Sequence, residues 1–268
     1  MDKQLIRFLI LHPSTWLATL QVILAKLLKR DTVTVSRQGL RILTGTGSGE
    51  GLFCAVAGTK YESEMEWFLD QMKPGATFVD VGANIGIYSL HASRRLGISG
   101  RIHAFEPTQE TFKILSTNIR VNRLGNIQTN KLALADKIGT LYLVAEGRPA
   151  SNSTSINTPC ASSAISIEAT TLDEYRKSQL GMKVDFIKVD IEGGERAFFE
   201  GARKTLLEDK PLILFESMHT GPEFPEREVL RELGYKMHIL DSGTLMEIDP
   251  ESLHGANLIA IKYACQAF

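Results

Sequence analysis

Cysteine is scarce in this chain of 268 residues: Cys54, Cys160 and Cys265 are all it has, and no two form a C-x-x-C pair. That excludes a zinc ribbon and a thioredoxin-like redox site. An odd, unpatterned set of thiols suits a reducing, cytoplasmic setting rather than a disulfide framework. An excess of charge is missing as well. The 30 basic and 31 acidic residues leave a formal net charge of -1, which gives no footprint of a nucleic-acid partner. Internal repeats and long charge runs are absent. So is an uninterrupted apolar run of the roughly 20 residues that a membrane span needs. The leucine-rich N-terminus is broken by Arg7, His12 and Pro13, and again by Gln21 and Lys26, and it carries no clear secretory cleavage pattern.

That N-terminus still has a pattern. After Pro13, Ser14 is placed to cap a helix on which Trp16, Leu17, Leu20, Ile23, Leu24, Leu27 and Leu28 recur at helical spacing. Lys26, Lys29 and Arg30 close it, where cations suit the helix dipole. Such a helix can pack on its own domain or on a second subunit. It also has the composition of an interfacial helix in peripheral contact with a membrane. The sequence leaves the oligomeric state open.

Between Asp31 and Ala57, "DTVTV" and "LFCAVA" read as strands around a glycine-rich loop, and "YESEMEWFLDQM" reads as a helix ended by "KPG". From there strands and helices alternate. "TFVDVG", "GRIHAFEP", "NIQTNKLALA", "GTLYLVA", "VDFIKVDI", "PLILFES", "YKMHIL" and "NLIAIKY" read as strands. "NIGIYSLHASRRL", "TQETFKILSTNIRVN", "TTLDEYRKSQ", "GERAFFEGARKTLLE" and "PEREVLRELG" read as helices, with Thr171 and Glu174 spaced as a capping box. "ASNSTSINTPCASS" reads as a polar loop suited to covering a sugar-like acceptor. Continuous apolar strands separated by helices predict an α/β fold, a mostly parallel sheet with helices on both faces. Residues 1–60 form an N-terminal extension of helix and short strands, and residues 61–268 the main domain.

In such sheets ligands bind at the carboxyl ends of the strands. The first of these ends reads "VDVGANIG", with Gly82 and Gly86 in a sharp turn directly after Asp80. The dinucleotide fingerprint G-x-G-x-x-G is absent. A pyrophosphate would be repelled by Asp80, whereas the sulfonium and amino group of S-adenosylmethionine would be attracted. Glu106 ends the second strand, where a carboxylate can accept hydrogen bonds from ribose hydroxyls. A third strand end, "FIKVDIEGGE", gathers Lys188, Asp190, Glu192 and Glu195 around Gly193 and Gly194. Along the strand Lys188, Asp190 and Glu192 share one face, while Glu195 falls in the first helical turn, where a carboxylate is favoured. Asp190 or Glu192 could act as general base toward a hydroxyl, with Lys188 in support. Glu216 and His219 in "FESMHT" are rival bases. A magnesium site on Asp190, Glu192 and Glu216 ranks below a metal-free reading.

The pieces "FVDVGANIGIYSL", "GRIHAFEPTQETFKILSTNIRVN", "LALADKIGTLYL", "TTLDEY", "FIKVDIEGGE" and "PLILFES" follow one another as in the FkbM family of S-adenosylmethionine-dependent methyltransferases. The resemblance runs from about Tyr61 to about Glu216. It implies a class I, Rossmann-like methyltransferase fold and O-methylation of a sugar, glycan or natural-product hydroxyl. It also implies that Asp80, Gly82, Asn84, Gly86 and Glu106 hold the cofactor, together with the neighbouring Ala83, Tyr88, Ser89, Pro107 and Asp190. The turn from Leu134 to Asp136 would lie beside the adenine. Two other classes stay in view: a nicotinamide-dependent oxidoreductase, and a non-catalytic cofactor-binding partner protein.

Overall fold

The computed structural model describes residues 16–45, 50–60, 62–145, 152–153, 164–179, 182–191, 193–217, 225–249 and 256–262. Its centre is an eight-stranded sheet. β3 (Thr77–Val81), β4 (Arg101–Phe105), β5 (Ile127–Asn130), β10 (Phe186–Val189) and β11 (Leu212–Ser217) run parallel. β14 (Ala256–Ile261) lies antiparallel between β11 and β12 (Lys236–Asp241), and β13 (Thr244–Ile248) closes the edge as a hairpin with β12. Every residue of β3 and β10 is buried, which is why these strands read as continuous apolar runs. The alternation of side chains along them separates two cores. Phe78 and Phe186 pack on one face with α3 (Ser63–Asp70), α4 (Ile87–Leu96) and α5 (Gln109–Val121). Val79, Val81, Ile187 and Val189 pack on the other with α6 (Leu172–Ser178), α7 (Glu195–Gly201), α8 (Arg203–Asp209) and α9 (Pro225–Glu232). This is the class I, Rossmann-like arrangement that the sequence led us to expect.

The N-terminal extension is there too. α1 (Trp16–Leu27) lies on the hairpin of β1 (Thr32–Arg37) and β2 (Leu40–Gly45). Its inward residues are the small Ala18, Val22 and Ala25, which join the same core as Phe78 and Leu115. Its large apolar residues point outward: Leu20 is 62% exposed and Leu27 74%. β2 is fastened to α5. Leu43 N–H donates to Asn118 Oδ1 (2.7 Å) and Arg41 N–H to Asn122 Oδ1 (2.8 Å). Among the described residues no helix is long and apolar enough to cross a membrane. Ser14 lies outside them.

Several elements differ from the sequence reading. "LFCAVA" belongs not to a strand but to helix α2 (Glu50–Ala57), continued by a 3₁₀ turn at Gly58–Lys60. A short apolar run has no period that separates helix from buried strand. β2 and β13 went unread. So did β9 (Ala164–Thr170), which pairs with β7 (Gly139–Ala145) and β6 (Ala133–Leu134) in a second sheet. "NIQTNKLALA" is therefore two strands, β5 and β6, in different sheets. β8 (Asn152–Ser153), inside the expected polar loop, also joins that second sheet; the rest of the loop lies outside the described residues. "GERAFFEGARKTLLE" breaks into α7 and α8. The break has a cause in α6: the Asp173 carboxylate accepts the backbone N–H groups of Lys204 and Thr205 (3.0 and 2.8 Å) and so caps a new helix start. The Thr171 cap is present, with Glu174 N–H donating to its hydroxyl at 3.1 Å.

Candidate active site

The carboxyl ends of β3, β4 and β10 lie side by side, because Asp80 pairs with Ala104 on one side and with Lys188 on the other. Beyond β3 the chain turns through Gly82 (φ 74°), Asn84 (φ 50°) and Gly86 (φ 95°). Gly82 and Ala83 N–H both donate to Phe105 O, at 3.0 and 2.8 Å, which ties the turn to β4. Packing against backbone demands the first glycine, and the positive φ the second, where only the movable end of a leucine is met. A Cβ on Gly82 would sit 1.9 Å from the Asp190 carbonyl oxygen, and one on Gly86 would sit 2.6 Å from Leu115 Cδ1. Gly193 differs: it has open space around it but a φ of 99°, which a side chain would strain.

Lys188 is the electrostatic centre. Its buried Nζ donates to Gly82 O (3.0 Å) and Asp190 Oδ2 (2.9 Å), lies 3.9 Å from Asp80 Oδ1, and sits over the Tyr88 ring at 5.2 Å. Burial opposes its charge. Asp190, Asp80 and Glu62 together outweigh that, and the ammonium is held above its ordinary range. Asp80 is fully buried. Its Oδ2 accepts from Ser89 Oγ (2.6 Å), while Oδ1 has no hydrogen-bond partner among the described residues. Burial pushes its carboxyl upward, and Lys188 and Ser89 pull against that. Tyr88 donates to Glu62 Oε2 at 2.9 Å. Burial raises the Glu62 carboxyl and, with the neighbouring carboxylates, raises the Tyr88 phenol well above its usual value.

Glu106 ends β4 facing the same turn. Its Oε1 accepts the Thr108 N–H (3.0 Å) and hydroxyl, and its Oε2 accepts the Asn84 N–H (3.2 Å). Burial raises its carboxyl against those bonds. The buried carboxylate therefore fixes the turn. Oε1 thus has both lone pairs engaged, while Oε2 retains a second one. Ala83 is buried, Asn84 exposed, and Pro107 intermediate.

The structure brings Asp80, Glu106, Lys188 and Asp190 together and assigns different surroundings to the others. Asp190 is the exposed member, with a side chain 43% exposed. Glu195 is buried, and both its oxygens accept the Gly193 N–H (3.1 and 2.9 Å), so it ties down the strand-to-helix turn. Glu216 lies at the end of β11, opposite Asn257. Leu134 is buried in β6, while Asp136 is exposed beyond it. Glu192 and His219 lie outside the described residues. Among the described residues no group of three or more His, Cys, Asp and Glu is arranged to hold a metal ion. Two members of the cluster escaped the sequence reading. Glu62 read as one more acid at a helix start, and only the fold carries it to Tyr88 and Lys188. Thr108 did leave a signal, as a hydroxyl residue at the start of α5.

The donor set suits S-adenosylmethionine. The rim holds Asp80, Glu106, Asp190 and Glu62 around Lys188, an arrangement that attracts a sulfonium and an ammonium and repels a pyrophosphate. Comparisons with known proteins identify a family and several similar proteins. The family model described as "Methyltransferase FkbM domain" matches residues 80–237. The methyltransferase sdnD of Sordaria araneosa is 27% identical over 186 residues, covering 58% of this chain and 71% of that protein. Among solved structures, the methyltransferase FkbM of Methylobacillus flagellatus superposes with a TM-score of 0.48 at 16% identity, over 78% of this chain and 54% of that one. A SAM-dependent O-methyltransferase of Thermotoga maritima superposes with a TM-score of 0.45 at 13% identity, over 90% and 82%.

Proposed function

The chain belongs to the FkbM methyltransferase domain family, and from that premise we propose that it carries a methyl group from S-adenosylmethionine to a hydroxyl of a sugar, glycan, glycolipid or natural-product acceptor. It is a methyltransferase by family; the donor, the acceptor and the residue roles are our reading. The observation that carries this reading is the anionic rim around a protonated Lys188. When bound there, the cofactor supplies a methyl group already activated by sulfonium. Glu106 holds the ribose hydroxyls, and the turn from Gly82 to Gly86 gives the cofactor its floor. Asp80, being buried, works from beneath by holding Ser89 and Lys188. Tyr88 and Glu62 close the amino-acid end.

The remaining task is to align a hydroxyl and remove its proton. Alignment supplies several kcal/mol, up to about 7–11 in favourable cases, and a general base adds about 10²–10⁴-fold. Asp190 is the described carboxylate suited to that proton: it is accessible, and Lys188 anchors its Oδ2. Glu192, Glu216 and His219 stand behind it as alternatives. A nicotinamide cofactor suits this rim poorly, because its pyrophosphate would face the carboxylates. The sparse thiols and the apolar outer face of α1 fit a cytoplasmic protein in peripheral contact with a membrane.

The test is single-turnover methylation with labelled S-adenosylmethionine. Asp190→Asn should lower the rate by about 10²–10⁴-fold while changing cofactor affinity little, because a base acts in the transition state. Full turnover in that variant would move the base to Glu192, Glu216 or His219.

A further inference from the structure

α1 is built the reverse of an ordinary core helix. Its small residues Ala18, Val22 and Ala25 face the protein, while Leu17, Leu20, Ile23, Leu24 and Leu27, with Leu28 directly after the helix, are exposed. At helical spacing these six form an apolar arc wider than about 100°, opposite the buried stripe. The exposed Lys26, Lys29 and Arg30 follow at one end, and no acidic residue occurs between Trp16 and Arg30.

The fold decides which way this end points. β2 runs antiparallel to α5, since Arg41 is held by Asn122 and Leu43 by Asn118, one turn earlier in the helix. Asn118 also donates to Ile85 O (2.9 Å), inside the glycine turn of the site. Continuing along β2 to Gly45 therefore leads toward the rim, and Gly45 pairs with Thr32 at the start of β1, directly after α1. The basic end of α1 and the cofactor turn lie at the same end of the molecule.

We propose that α1 docks this protein on an anionic lipid surface, with the apolar arc in the headgroup boundary and Lys26, Lys29 and Arg30 on the lipid charges. Resting on the methyl-transfer reading of the rim, the acceptor is then a hydroxyl carried by that surface. A second copy of the chain is a poorer occupant. A helix of 12 residues is about 18 Å long and 10 Å across, so pairing through it alone buries far less than the roughly 800 Å² per partner of a stable interface. A lipid surface needs no such area from one partner, because apolar insertion and charge act together.

The test is co-sedimentation of the full chain with vesicles of phosphatidylcholine alone and of phosphatidylcholine with phosphatidylserine. Binding should be strong to the anionic vesicles and weak to the neutral ones. The triple variant Leu20→Ser/Leu24→Ser/Leu27→Ser should lose it. Lys26→Gln, Lys29→Gln and Arg30→Gln should each weaken it about fivefold. All keep the wild-type melting transition, since the substituted side chains lie outside the core. A wild-type chain that stays in solution with anionic vesicles overturns the docking. So do leucine variants that sediment like wild type, or a dimer that these variants dissociate without any vesicle binding. The acceptor clause has its own arm: a glycolipid in vesicles should be labelled faster than the same headgroup free in solution, and the leucine variants should lose that advantage. Equal labelling overturns this clause alone. Calorimetry with S-adenosylmethionine on the same proteins reads the methyl-transfer proposal separately.

Discussion

Replacing Lys188 with methionine tests the electrostatic heart of the site. The change keeps the bulk of the side chain and removes the cation that lies 3.9 Å from Asp80 Oδ1. That oxygen has no hydrogen bond among the described residues, so the ammonium is its main compensation there. At an effective dielectric of about 20, a pair at this separation is worth about 4 kcal/mol. Breaking a buried pair from one side typically costs about 3–5 kcal/mol, and Lys188→Met should fall in that range by urea unfolding at pH 7. Asp80→Asn should cost less, about 1–3 kcal/mol, because Lys188 keeps Asp190 and Gly82 O. The double variant should then be more stable than the two losses added together, by a coupling of about 1–3 kcal/mol. The pH dependence has a definite sign. Burial already raises the folded Asp80 carboxyl, and losing Lys188 raises it further. A carboxyl with a raised folded pKa binds more protons when folded, so stability falls as pH rises through that value. The deficit of Lys188→Met should therefore shrink on acidification, and Asp80→Asn should abolish the trend. Additive losses with no pH trend would refute the pairing.

Glu195→Gln should lower stability by about 1.5–3 kcal/mol, the range for hydrogen bonds to a buried charge, because both carboxylate oxygens hold the Gly193 N–H; thermal melting checks this, and an unchanged transition would contradict it. His91 and His103 are both buried and, chiefly through that burial, held down at about 4. Each binds fewer protons folded than unfolded between that value and 6.5, so stability falls as pH drops through this window. From pH 7 to pH 5 each should cost about 2 kcal/mol. His103→Gln should flatten the slope of urea midpoints against pH, and an unchanged slope would rule His103 out.

Much of the candidate cluster was legible because chemistry and fold agree at strand ends. Asp80, Glu106, Lys188 and Asp190 each stand where an apolar run meets a turn, a place where a charge has no packing reason to be. The parallel sheet followed from the same runs. What could not be read depends on partners distant in sequence. Glu62 joins the cluster only because α3 and α4 bring it against Tyr88. The glycines of the turn were legible as a sharp turn, but that an added Cβ there would meet the Asp190 carbonyl and Leu115 depends on distant partners. "LFCAVA" had no period to decide helix from strand. The division of α7 from α8 rests on Asp173, about thirty residues away in the chain.

Isothermal calorimetry of the purified protein against S-adenosylmethionine, S-adenosylhomocysteine and NAD decides which cofactor the carboxylates around Lys188 accept. Both sulfur nucleosides should bind saturably, weakened at least tenfold (about 1.4 kcal/mol) in a folded Glu106→Gln variant, and NAD should give no heat. Saturable NAD binding with no response to either sulfur nucleoside would contradict the S-adenosylmethionine reading.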